Sequence, residues 1–166
     1  MSGRNRSLTR VVEVTPTLDT NIYADGDRMG SIFEIPNAVA VDKGHALWVS
    51  LVALDKDGQS KAFDVYLFND KPTIASADNA AIDIIDTEME KFIGMFSIEE
   101  SDYGSLAANS VGFQKDFAIP IHNNVSKIQT GTGGLSQRSV WGVLISRGAP
   151  THSTAGLVLK FGLIQD

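Results

Sequence analysis

The chain has no cysteine among its 166 residues, which excludes disulfide stapling, thiolate metal sites and cysteine nucleophiles together. Stability must come from packing, from assembly, or from a metal held by other ligands. Long hydrophobic stretches are missing too. A run such as Val140 to Ile145 falls far short of the roughly 20 residues a membrane helix needs, and no membrane partner is expected. The first ten residues, MSGRNRSLTR, carry Arg4, Arg6 and Arg10 but no apolar stretch, so they do not read as a secretory leader. Positive charge is scarce elsewhere: 14 Lys and Arg face 20 Asp and Glu. With no basic stripe to follow phosphates, nucleic acid is not an expected partner.

What is present is an ordinary folding composition. At 43% hydrophobic and 20% charged residues, the chain is neither a disordered nor a fibrous type. Its length suits one domain burying roughly 70% of its unfolded surface. Acidity is local: residues 83 to 102 hold Asp83, Asp86, Glu88, Glu90, Glu99, Glu100 and Asp102 against Lys91 alone, and seven minus one equals the whole formal charge of -6. That segment lies within Val65 to Tyr103, entered and left by strand-like runs.

Strand signals dominate. Thr9 to Val14 ends before Pro16, and Ser31 to Ile35 ends at Pro36 and Asn37. Leu47 to Leu54 is apolar on both alternating faces, which predicts a central strand. Asp55-Lys56-Asp57-Gly58-Gln59 follows, and Gly58 can supply the positive φ of a short turn, so Ser60 to Phe68 is expected to pair antiparallel with Leu47 to Leu54 as a hairpin. Thr87 and Glu90 have the spacing of a capping box, predicting a short helix near residues 87–92. Ile93 to Ile98, Ser110 to Ile121 and Ser139 to Ser146 read as further strands. Leu157, Leu159, Phe161 and Leu163 then alternate with Val158, Lys160, Gly162 and Ile164 in a period of two. About eight strands with one helical excursion predict an all-β antiparallel sandwich of jelly-roll type. Residues 1–14 form a basic arm with the first strand, and residues 15–166 a single sandwich domain.

Sites of chemistry are hard to find. His45, His122 and His152 share no local ligand spacing, and no serine sits in a Gly-x-Ser-x-Gly elbow. Asp55-Lys56-Asp57-Gly58 resembles the start of a calcium loop. It lacks the third ligand position before the glycine and the closing glutamate, and reads as turn chemistry. The acidic segment contains carboxylates but no spacing that selects a facing pair, as glycoside cleavage requires. Gly131-Thr132-Gly133-Gly134 lacks the ending of a phosphate loop. It reads as a partner-contacting loop, and the basic arm as a contact for an acidic protein surface. The partner-binding residues are therefore Arg4, Arg6 and Arg10 in the arm, Gly131, Gly133 and Gly134 in the loop, and Glu88 and Glu90 in the acidic segment. No catalytic residue, cofactor or metal is expected.

The order of motifs adds a family resemblance. Thr15-Pro16-Thr17-Leu18-Asp19-Thr20 precedes Tyr23-Ala24-Asp25-Gly26-Asp27. The block from Val65 to Phe68 runs through Asp78-Asn79-Ala80-Ala81, Asp83-Ile84 and Ile93-Gly94 to Ser101-Asp102-Tyr103. The chain closes with Leu144-Ile145-Ser146-Arg147-Gly148-Ala149-Pro150-Thr151 and Phe161-Gly162-Leu163-Ile164-Gln165-Asp166. From residue 15 onward this resembles the small β-sandwich decoration, or cement, proteins of tailed bacteriophages. The resemblance implies a structural virion protein without enzymatic activity, made in the host cytoplasm and bound to the outer capsid surface. Its implied partners are the major capsid protein and further copies of itself, a trimer before other numbers. The motifs are framework and turn positions. The alternatives are a carbohydrate-binding jelly roll using Trp48, Trp141, Tyr66 and Tyr103, or another virion protein of the tail or vertex.

Overall fold

Apolar residues on both faces mark Leu47–Leu54 for the middle of a sheet, and that is its position. In the computed structural model, which describes residues 8–39, 45–122 and 139–165, it belongs to β3 (His45–Asp55), the central strand of a five-stranded sheet. β3 pairs with β7 (Asn109–His122) and β9 (Leu157–Gln165). β1 (Leu8–Val14) lies outside β9, and β6 (Tyr103–Leu106) outside β7. A second sheet runs in the order β2 (Arg28–Ile35), β8 (Val140–Ser146), β4 (Phe63–Phe68), β5 (Phe92–Ile98). Every strand pairing is antiparallel.

The order β1-β9-β3-β7 in one sheet against β2-β8-β4-β5 in the other is the double Greek key of a jelly roll, with β6 added as a hairpin on β7. The all-β sandwich expected from the sequence is therefore the fold. β1 is paired along its length with β9, so residues 8–14 are part of the sandwich.

Two local expectations are corrected. β3 and β4 do not form a hairpin: the chain crosses at residues 56–62 from one sheet to the other. Gly58 does adopt positive φ, at +62°, but it serves an arch between sheets. The predicted helix over residues 87–92 is one turn, α1 (Asp86–Met89), and β5 has begun by Phe92. Its N-cap is Ile85, which supplies no side-chain bond, so Thr87 and Glu90 form no capping box. The capping box that does form joins Glu99 and Asp102, around a single 3-10 turn.

The core lies between the sheets. Trp48 on β3 packs on Phe161 of β9 and on Phe96 of β5, each at 5.5 Å between ring centroids. Phe33 on β2 stacks on Phe161 at 6.3 Å. Leu51, Ala53, Val65, Leu67, Ile98, Leu144 and Leu159 complete this interior, all fully buried. Close packing makes glycine necessary at two places on β2 and β8. Gly30 has φ +73° at a register shift in β2, and a Cβ there would overlap the carbonyl oxygen of Thr17. A Cβ on Gly142 of β8 would overlap the ring of Phe33. By contrast, Ala107 in the β6–β7 turn carries φ +60° with a side chain that disfavours it.

These two positive-φ positions should respond with opposite signs. Gly30→Ala combines backbone strain with overlap on Thr17 and should cost upward of about 2 kcal/mol. Ala107→Gly relieves strain at an exposed turn and should be neutral or stabilising by up to about 1 kcal/mol. Urea unfolding of both variants measures this; equal destabilisation would contradict the assigned turn geometry.

Candidate functional site

Outward side chains of β4 and β8 include Tyr66 and Phe68 on one strand and Trp141 and Val143 on the other, while Asp64, also outward on β4, is buried in a pair with Arg147 at 2.6 Å. The residues 69–91 cover Phe68, Trp141 and Val143. Ile74, Ile82 and Ile84 pack with Phe68, Trp141, Val143 and Phe92 as a second hydrophobic cluster, separate from the core. Backbone bonds fasten this cover at both ends. Asn69 N–H donates to Lys91 O at 2.9 Å, and Ile82 N–H to Gly26 O at 3.0 Å, beside a bridge between Asp27 and Ala81. Asp78 accepts from Gly30 N–H at 2.6 Å and from the buried Tyr23 hydroxyl at 3.1 Å. Burial, with the negative charges of Asp78 and Asp19, raises the Tyr23 phenol, so it stays a donor.

Glu88 is engaged inside the cover. Its carboxylate accepts from Lys91 Nζ and Thr73 N–H, both at 2.7 Å. The Lys91 ammonium, then the Thr73 amide, hold the Glu88 carboxyl below its ordinary value. Of the acidic residues, Asp83, Asp86, Glu90, Glu99 and Glu100 are exposed. Glu100 pairs with Lys61 at 2.9 Å, and Asp102 accepts from Glu99 N–H and Gln114. Arg10 is exposed on β1, in the five-stranded sheet, whereas Glu88 and Glu90 belong to the cover on the four-stranded one. Arg4, Arg6, Gly131, Gly133 and Gly134 lie outside the described residues.

The outer face of the five-stranded sheet has different character. Register places Val11, Val52, Leu54, Val111 and Phe113 on it, with Glu13 opposite Lys160 and Val52 opposite Phe113. Val11 is 67% exposed, Leu106 60% and Phe113 47%. An ion pair, Lys160 to Glu13 at 3.2 Å, crosses it. Beside it, β1 ends the sheet and has no strand on its outer edge among the described residues. The tryptophans do not contribute a surface: Trp48 is fully buried, and Trp141 lies buried under the cover with Lys71 Nζ 5.2 Å from its ring centre.

A third arrangement was not signalled by local spacing. Asp55 ends β3, Asp57 follows in the arch, and His152 lies in the β8–β9 connection. Among the described residues these three alone bring together side-chain donors suited to a cation, all within 4.8 Å of one another. His152 Nδ1 is 3.7 Å from Asp55 Oδ1 and 3.6 Å from Asp57 Oδ2. Asp55 is fixed through the oxygen turned away from His152, and Asp57 through the same oxygen that faces it. Asp55 Oδ2 accepts from Ser60 N–H at 2.7 Å and from Ser110 Oγ at 3.3 Å, while Asp57 Oδ2 accepts from Ser153 N–H at 2.7 Å. Gly156 makes room for them, because a Cβ there would overlap Asp57 Oδ2. Burial alone would push Asp57 up, but the amide and hydroxyl of Ser153, with His152, hold it low. Burial lowers His152 against the attraction of both carboxylates. The Asp-Lys-Asp-Gly turn was visible in the sequence, but its partner histidine was not.

Glu88 generates a pH dependence with a definite sign. Its folded pKa lies below that of the unfolded chain, so its contribution is full above the unfolded value, about 4.3, and is lost as pH falls through the folded value. The protection factor of the Thr73 amide, exchange being referred to the unfolded rate at the same pH, should therefore fall relative to the core strands as pH drops below the unfolded carboxyl value, and Glu88→Gln should remove that acid step. Thr73 protection that follows the core strands across this range would refute the assignment of this bond to the ionised Glu88.

Compared with known proteins, the chain matches no family model and no curated sequence.

Proposed function

We propose that this chain is a structural virion protein, a decoration subunit that binds the assembled phage capsid and stabilises it. The observation carrying the proposal is the inequality of the two outer faces. The chain covers Phe68, Trp141 and Val143 of its four-stranded sheet with its own residues 69–91, leaving Ile85, Met89 and Met95 exposed there, whereas among the described residues nothing covers the outer face of the five-stranded sheet, where Val11, Leu106 and Phe113 are exposed. Exposed apolar side chains on an uncovered sheet face, and an edge strand without a neighbour, are features proteins use for association. An extended segment of a neighbour can add to such an edge through main-chain bonds. The motif order from residue 15 resembles phage decoration proteins and supplies the partner class, the capsid shell. Binding through many identical modest contacts, in a homo-oligomer with a trimer as the first expectation, converts weak single-site affinity into stable attachment. No step of this function requires turnover of a substrate. Among the described residues no helix is long and apolar enough to cross a membrane.

Purified protein should co-sediment with preformed shells that lack it and raise their resistance to heating. A Val11→Asp, Phe113→Glu double variant should keep its fold, since both side chains are largely exposed, and bind about tenfold or more weakly. Failure of the unaltered protein to bind such shells would overturn the proposal. Unchanged binding by the double variant would move the contact to another face.

A further inference from the structure

The His152 ring presents a contradiction that a proton alone does not resolve. Its Nδ1 is buried without a hydrogen-bond partner, and the side chain is only 4% exposed. If Nδ1 carries a lone pair, that lone pair faces two carboxylate oxygens. If it carries a hydrogen, the oxygens at 3.6 and 3.7 Å stand beyond the N–H···O range of about 2.7–3.2 Å. A cation between them satisfies all three atoms.

We propose that Asp55 Oδ1, Asp57 Oδ2 and His152 Nδ1 bind one divalent transition-metal ion of the zinc class. In a tetrahedral site with bonds of 2.0–2.2 Å, ligand atoms stand about 3.4 Å apart, so the two nitrogen–oxygen separations need to close by only a few tenths of an ångström. One imidazole with two carboxylates suits zinc and its neighbours better than calcium or magnesium, which select oxygen donors alone. The supporting shell already exists. Ser60 and Ser110 hold the far oxygen of Asp55, Asp57 N–H donates to Asp55 Oδ1 at 3.0 Å, and Ser153 holds Asp57. Asp57 is the open side of the site, with 26% of its side chain exposed, which gives an ion a path inward and leaves a position for water. The bound ion would tie the arch at 56–62 to the β8–β9 connection at one end of the sandwich. In a chain without cysteine, it would act as a cross-link made from nitrogen and oxygen donors.

Isothermal titration of chelator-treated, full-length protein with Zn²⁺ tests this. The expected result is one Zn²⁺ per chain, a raised melting temperature on addition, and affinity weakened about tenfold or more in both His152→Asn and Asp57→Asn. Asp57→Asn keeps the test decisive if the buried His152 variant fails to fold, because the Asp57 side chain lies at the rim. No binding by the unaltered protein, or an isotherm unchanged in a folded variant, would overturn the site. Displacement of Zn²⁺ by an equal concentration of Ca²⁺ would overturn the assignment to the zinc class.

Discussion

The two sheets are held together by a seam of aromatic rings, and the rest of the molecule is arranged around its space requirement. Trp48 and Phe161 reach in from the five-stranded sheet, Phe33 and Phe96 from the four-stranded one. Sheets pack about 10 Å apart, so a large ring on one strand needs a small residue near it. Gly142 leaves room for the Phe33 ring and Gly112 for the Tyr103 ring beside them in the same sheet, while Gly94 and Gly112 also admit Ile119 and Ile98 from the facing layer. Each is a strand position where glycine has a weak local preference. Packing within and between the layers outweighs that preference, because every ring fully removed from water contributes about 1.5–3 kcal/mol.

A sandwich that satisfies its interior still has two outer faces, and this chain treats them unequally. The strands of the four-stranded sheet carry apolar residues outward as well as inward: β8 is buried at all seven positions. Such a sheet needs a third layer. Residues 69–91 supply it with almost no regular structure, so isoleucines provide burial while Asp78, Glu88 and Lys91 satisfy backbone groups that a helix or strand would have paired internally. The acidity of this region is partly an outcome of that task. Glu88 and Asp78 are anchors, and Glu100 and Asp102 bond within the chain. The exposed carboxylates fall in two groups, Asp83, Asp86 and Glu90 around α1, and Glu99 and Glu100 at the 3-10 turn.

How much of this could be read from sequence depended on whether the deciding interaction was local. β3 was legible because two-faced apolarity is a property of eight consecutive residues, and β9 because a strict period of two places Leu157, Leu159, Phe161 and Leu163 inward. The partner of β3 was not legible. Asp-Lys-Asp-Gly turns a chain equally well into a hairpin or into an arch, and the choice rests on which sheet Phe63, Val65 and Leu67 can face. β6 gave no signal because its turn has Ala107 and Ala108 where glycine or asparagine announces a hairpin. The cap differs for a related reason: Thr87 has capping chemistry, but the turn begins one residue earlier, behind Ile85, and Thr87 lies inside it.

The same distinction between local and distant applies to the cation cluster and explains why the turn aspartates looked like ordinary turn residues. Asp55 and Asp57 do perform turn chemistry: each accepts a backbone N–H within its own or the facing loop. Those bonds use part of each carboxylate and orient the rest toward the β8–β9 connection. A hydrogen-bonded turn is thereby also a pair of aimed ligands, and only the return of the chain with His152 reveals the second role. In a jelly roll this return is built into the topology, because β9 pairs with β3 and brings the loop before it against the loop after β3. The fold, not a motif, assembles the three donors, and metal affinity would then report directly on whether these two loops are docked.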